Sequence, residues 1–162
     1  MFGLTLLGAF HTAISLVAIA AGVWAFARDK QIVPSNRLGQ LYLAATTITA
    51  VTALMIFEHG RFRIGHSFAV LTLLVIAIGT LAATTSLFGR ASRYVQAGFF
   101  SSTMLIHFIT GSAETLTRLP PGAPLVTAAN AHVFQYIIAA LVLLFLVGLA
   151  FQLRWLRMLR RG

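Results

Sequence analysis

The chain has 162 residues, 59% of them hydrophobic and only 9% charged, which is too little polar surface for a water-soluble domain and points to lipid. Its net charge of +9 comes from basic residues between and after apolar runs, where anionic headgroups satisfy them, and this excludes nucleic acid as a partner. The lack of cysteine excludes disulfides, iron-sulfur clusters, thiolate nucleophiles and covalently attached c-type haem, leaving histidine, carboxylate and backbone as ligands.

Five stretches are long and apolar enough to span a hydrocarbon core of ~30 Å, at about 3–27, 38–58, 66–89, 93–115 and 130–153. They predict an all-α integral membrane bundle of five transmembrane helices, a single domain over 1–162. The first run ends in Ala25-Phe26-Ala27, which imitates a signal-peptidase site. With no Lys or Arg before it and an apolar part longer than an h-region, it is expected to stay as a helix. The fourth run is diluted by Ser101, Ser102, Thr103, Thr110, Gly111 and Ser112, which suits a helix packed inside the bundle. Pro34, the Gly60 to Gly65 stretch, Gly89 and the prolines at 120, 121 and 124 mark short loops, so the bundle reads as up-and-down.

Orientation follows from the basic residues. Arg28, Lys30, Arg37, Arg90, Arg93, Arg154, Arg157, Arg160 and Arg161 fall on one side, and Arg61, Arg63 and Arg118 on the other. The positive-inside rule makes the richer side cytoplasmic, with the N terminus outside, in a multi-pass protein of the bacterial inner (plasma) membrane.

All five histidines then fall in the outer half, one or more near the outer end of every helix: His11, His59 and His66, His107, and His132. Glu58 and Glu114 lie on the same side. In the fourth run Gln96, Thr103, His107, Thr110 and Glu114 share a helical face that is expected to look inward. In the fifth, His132, Gln135 and Tyr136 share a face. His11 sits among Gly8, Ser15, Ala18 and Gly22, small residues that either admit a close helix or leave room for a flat ligand. His59, His66 and His132 are near enough to the surface to lie simply among headgroups. His11 and His107 are at membrane depth, where an ionisable side chain is a functional-site hypothesis. Glu58 reads either as an acceptor fixing an imidazole tautomer or as a solvated rim residue.

Phe10-His11, the run Arg37-Leu38-Gly39-Gln40-Leu41-Tyr42-Leu43, and His66 followed by Ala69-Val70-Leu71-Thr72-Leu73-Leu74 resemble a bacterial family of membrane proteins described as domain of unknown function 2306. The resemblance covers roughly residues 8–118. It implies a small polytopic bundle with one histidine in the first helix and another opening the third, here His11 and His66, and no established activity. The layout is also similar in outline to small membrane b-type cytochromes, whose haems are held by histidines of facing helices. It departs from those with two haems, since the inner half carries no histidine.

Three functions are weighed on these grounds. The first is a haem b or redox metal held by His11, His66, His107 and His132, acting in electron transfer or quinol-linked redox chemistry. The second is a divalent metal site of His11, His59, His66, His107 and His132 with Glu58 or Glu114, serving transport or a membrane metalloenzyme. The third is an accessory subunit of a larger membrane complex whose histidines are structural or proton-handling. The expected partners are the lipid bilayer and either a quinone or another membrane protein, and a homo-oligomer is compatible with all three. No nucleophile–base pair, phosphate loop or nucleotide motif occurs, and whether the chain is an enzyme stays open.

Overall fold

The computed structural model describes residues 5–56 and 64–159, the side chain of Ala129 aside, and those residues form helices and turns with no strand. The helices are α1 (Leu6–Asp29), α2 (Arg37–Met55), α3 (Ile64–Thr84), α4 (Ser92–Arg118) and α5 (His132–Leu159). Single 3-10 turns at Gly89–Ala91 and Ala128–Asn130 precede the last two. Four of these helices, α1, α2, α3 and α5, are long and apolar enough to cross a membrane.

Local chemistry sets the ends. Thr5 caps α1 by accepting from the Gly8 N–H at 3.1 Å, and Asn36 caps α2 by accepting from the Gly39 N–H at 2.8 Å. At its other end α1 closes on Lys30, which takes the left-handed conformation at φ 59° and returns its N–H to the Phe26 carbonyl. The α1–α2 turn is tied by Asp29, which accepts two bonds from Arg28, at 2.9 and 2.7 Å, and one from the Asn36 amide at 2.9 Å. Two ends differ from the sequence expectation. α3 stops at Thr84 rather than near residue 89, where the Thr84 and Thr85 hydroxyls bond back to the Thr80 and Leu81 carbonyls and a turn over Ser86 to Gly89 follows. α5 continues to Leu159 because Gln152 and Leu156, its two buried residues, dock against the rest of the bundle and hold the last turns.

The packing order follows the chain: α1 on α2, α2 on α3, α3 on α4, α4 on α5, with a smaller contact of α1 with α4. The core lies between α1, α2 and α4 near the Asp29 end, where Ala21, Ala25, Ile32, Tyr42, Phe100 and Met104 are buried together. Small residues permit this approach. A Cβ on Gly22 would stand 2.7 Å from the Tyr42 ring, and one on Gly79 would stand 2.5 Å from Phe100. Of the two readings of the small-residue run around His11, close approach of a neighbouring helix therefore holds at Gly22. α5 is different: Leu143, Leu144, Leu146, Val147 and Phe151 are all exposed. An apolar surface of that extent is stable in contact with lipid and not with water, and the chain is accordingly a multi-pass membrane protein.

α4 is not among the four apolar helices, although its 27 residues, at ~1.5 Å each, extend about 40 Å. Its polar residues are used inside the protein. Ser101, Thr103 and His107 are buried, and Ser102 and Thr110 return their hydroxyls to their own helix.

Candidate functional site: a buried histidine and threonine column

The buried polar residues concentrate on one face of α2. Tyr42, Thr46, Thr49 and Thr52 follow one another at intervals of four, three and three, and all are buried. This spacing keeps them on one side of a helix turning every 3.6 residues. Because α2 lies beside α1 and is reached from α4, the hydroxyls of Tyr42, Thr46 and Thr52 each meet a side chain from one of them.

Toward the Thr5 end of the bundle, His11 Nδ1 lies 3.0 Å from Thr52 Oγ1, and the Thr49 carbonyl faces the same imidazole. Thr52 spends its one proton on its own helix, donating to the Ile48 carbonyl at 2.8 Å and the Thr49 carbonyl at 3.0 Å. With the Thr52 proton directed to its own helix, the Thr52 oxygen is set to accept from Nδ1–H in the tautomer that leaves Nε2 its lone pair. The neighbouring Thr49 hydroxyl is buried with no hydrogen-bond partner among the described residues, an arrangement that folded proteins seldom leave without a bound water or ligand.

One turn deeper, His107 Nε2 lies 3.2 Å from Thr46 Oγ1, and the Thr46 hydroxyl stands beside the Tyr42 phenol. Tyr42 packs edge-on to the His107 ring with centroids 6.3 Å apart, and its OH lies 2.6 Å from Thr103 Oγ1. Thr103 donates to the Phe100 carbonyl at 2.7 Å, so Tyr42 must donate to Thr103. The order is thus His107, Thr46, Tyr42, Thr103 and a terminal carbonyl, crossing from α4 to α2 and back. His11 and His107 are close enough to interact electrostatically, and Glu114 acts on His11 in the same way. Nearer the Asp29 end, Gln96 donates to the Ile32 carbonyl at 3.3 Å, and the Gln31 side-chain oxygen is buried without a partner among the described residues.

The structure brings together only part of the expected set. His11 and His107 share the column. His66 is buried in the first turn of α3, on the face of Ala69, Thr72 and Val75. His132 is exposed and lies edge-on to Tyr136, itself exposed, because that end of α5 does not close over the other helices. Glu114 is 64% exposed and pairs with Arg118 at 2.8 Å. Glu58 and His59 lie outside the described residues. Among the described residues no three of His, Cys, Asp and Glu converge as a metal would need. On the α4 stripe, Thr103 and His107 face inward, Gln96 and Thr110 are half-buried, and Glu114 emerges at the rim. The threonine face of α2 was not anticipated, though the spacing from Tyr42 to Thr52 carries the signal.

No protein-family model, curated protein or solved structure matches this chain. The resemblance to domain of unknown function 2306 and to b-type cytochromes therefore assigns no role to any residue here.

Proposed function

We propose that this protein handles protons inside a membrane, as a subunit of a larger redox or proton-coupled complex, with His107 as the exchanging group and the hydroxyls of Thr46, Tyr42 and Thr103 as its relay. The observation that carries the reading is the file of polar groups from His107 Nε2 to Thr46 Oγ1 and on past the Tyr42 hydroxyl to Thr103. Each hydroxyl in such a file can accept from one neighbour and donate to the next, so a proton arriving at His107 is handed along to Thr103, whose hydroxyl then turns from the Phe100 carbonyl to an acceptor beyond the file. Thr46 is the pivot: unlike Thr47, Thr52 and Thr103, it makes no bond back to its own helix among the described residues. The proposed arrangement in the bacterial inner membrane is five spans, N terminus outside and C terminus cytoplasmic. It rests on seven basic residues, Arg28, Lys30, Arg37, Arg90, Arg93, Arg154 and Arg157, at the Asp29 end, against Arg118 at the other among the described residues.

The test is proton uptake by the purified protein in vesicles loaded with a pH-sensitive dye. His107→Gln and Thr46→Val are expected to lower the rate at least tenfold, and Thr47→Val, whose hydroxyl only back-bonds to Leu43, to leave it unchanged. Equal rates in all three would refute the relay.

A second reading has one observation in its favour. The His11 tautomer, Nδ1–H to Thr52 with Nε2 open, is the one in which a second hydrogen bond orients an imidazole for a metal or haem iron. In that reading His11 and His107 would hold the group, which would supply electron exchange with a quinol or external protein. A reduced-minus-oxidised absorption spectrum with elemental analysis of the purified protein decides between them. A b-type spectrum lost in His11→Ala would favour haem, and a colourless, metal-free protein would leave the proton relay alone.

A further inference from the structure

On the side of α4 away from the histidines, α1, α4 and α5 enclose a groove of about 770 Å³, within the ~300–1,000 Å³ of small-molecule sites. Its walls are apolar over most of their length, with Leu105, Phe108, Leu141, Leu144 and Phe145 among them. From Leu141 to Arg154 it follows 13 residues of α5, about 20 Å at ~1.5 Å per residue, which matches or exceeds the ~15 Å hydrocarbon depth of one leaflet.

One end is chemically distinct. Lys30 and Arg154 line it, and among the described residues no acidic one does. The polar wall groups are already matched: Ser101 donates to the Gln152 side-chain oxygen at 2.9 Å, and Gln152 donates to the Lys30 carbonyl at 2.8 Å. Asp29, the nearest carboxylate in sequence, is taken by Arg28 and Asn36. Lys30 Nζ uses one donor on the Ala27 carbonyl, and an ammonium has three. The groove thus joins an apolar channel of leaflet depth to two cations at its mouth.

We infer that this groove holds an anionic phospholipid, one acyl chain along α4 and α5 and the phosphate between Lys30 and Arg154. A neutral quinone headgroup would gain nothing from the two cations. A second copy of the chain seated there would have to cover both charges with only three acidic residues in the chain, of which Asp29 and Glu114 are already paired with Arg28 and Arg118. Basic pockets between transmembrane helices select anionic headgroups in this way, roughly fivefold for each basic residue near the surface.

Trp155 lines the groove and makes the test direct, because the chain has only two tryptophans and the other, Trp24, is exposed on α1. In Trp24→Phe protein, Trp155 fluorescence is measured in phosphatidylcholine vesicles containing phosphatidylglycerol, with bromine carried by one lipid or the other at equal mole fraction and equal total charge. The expected result is that brominated phosphatidylglycerol associates with Trp155 at least tenfold more strongly. Lys30→Gln/Arg154→Gln should bring the two lipids level, while Arg157→Gln, a neighbouring charge outside the groove, should leave the preference in place. Equal quenching in the parent protein overturns the inference. So does a preference lost equally in Arg157→Gln, which would mean general surface attraction. Displacement of the brominated lipid by a long-chain quinone would assign the groove to the quinone, and weak quenching by both lipids together with a cross-linked dimer would assign it to a second copy.

Discussion

Gly22→Ala isolates the packing that holds the column together. The new methyl would lie 2.7 Å from Tyr42 Cε2 and 3.0 Å from both Tyr42 Cδ2 and Met104 Sδ, where carbon contacts normally sit at ~3.5–4.0 Å. Met104 is flexible and can yield, but Tyr42 is fully buried and its hydroxyl is held at 2.6 Å on Thr103. The ring must move by close to 1 Å or the helices must part, and overpacking of this kind costs ~1–3 kcal/mol. Alanine also gains ~1 kcal/mol over glycine from helix propensity, and that gain must be removed before the packing can be read. Gly111→Ala provides the subtraction, being a glycine in α4 with nothing within 4 Å of its Cβ position. The difference between the two variants is therefore expected at ~1–3 kcal/mol, Gly22→Ala being the less stable. Unfolding in mixed micelles by graded addition of sodium dodecyl sulfate, followed by tryptophan fluorescence, measures it. Two unfolding curves that coincide would refute the close approach of α1 to Tyr42.

Three further outcomes follow from the same geometry. Gly39→Ala should be worse than Gly22→Ala, by more than ~1 kcal/mol, because its Cβ would meet the Val33 backbone carbonyl, which cannot rotate away as a side chain does; expression level and the same unfolding titration check it. Tyr42→Phe should cost ~1 kcal/mol, the scale of one or two hydrogen bonds between membrane helices at ~0.6 kcal/mol each, and it should stop proton uptake as fully as Thr46→Val; uptake at the parent rate would remove Tyr42 from the relay. A reporter that is active only in the cytoplasm, fused after Gly162, should be active, and activity only in a periplasmic reporter would reverse the orientation.

The helices were legible because apolar runs of membrane length say little else, and each of the five was expected within a few residues of where it lies. The misplaced ends have local or tertiary causes that hydropathy does not register. Hydroxyls of Thr84 and Thr85 close α3 early, and contacts of Gln152 and Leu156 extend α5. In the column, His11 and His107 were singled out by their position within the apolar runs, and both meet threonines of α2. The single layer of five histidines assumed that every helix closes around one axis, whereas α5 docks against α4 and leaves His132 exposed. The α2 threonines were passed over because a hydroxyl that bonds to its own helix is ordinary in membranes. Thr46 differs from that pattern only through its partners on α4 and α2, which no single helix displays.

The same partners bear on whether α4 crosses the bilayer. Judged by apolarity it falls short, and four spans would put both termini on one side. Apolarity, however, is demanded only of surface that meets lipid, and α4 meets protein on both of its polar sides. Thr103 and His107 face Tyr42 and Thr46 on α2, while Ser101 faces Gln152 on α5. At about 40 Å it has the length to cross fully, and it lies between α3 and α5, which do have the composition of spans. A helix so enclosed has its hydroxyls and imidazole satisfied within the bundle, so its low hydropathy is the consequence of its central place. On the five-span reading proposed above, the two termini lie on opposite sides. The groove and the proposed relay are then back to back on one helix: Ser101 on the groove wall, and Thr103, two residues on, in the column against Tyr42.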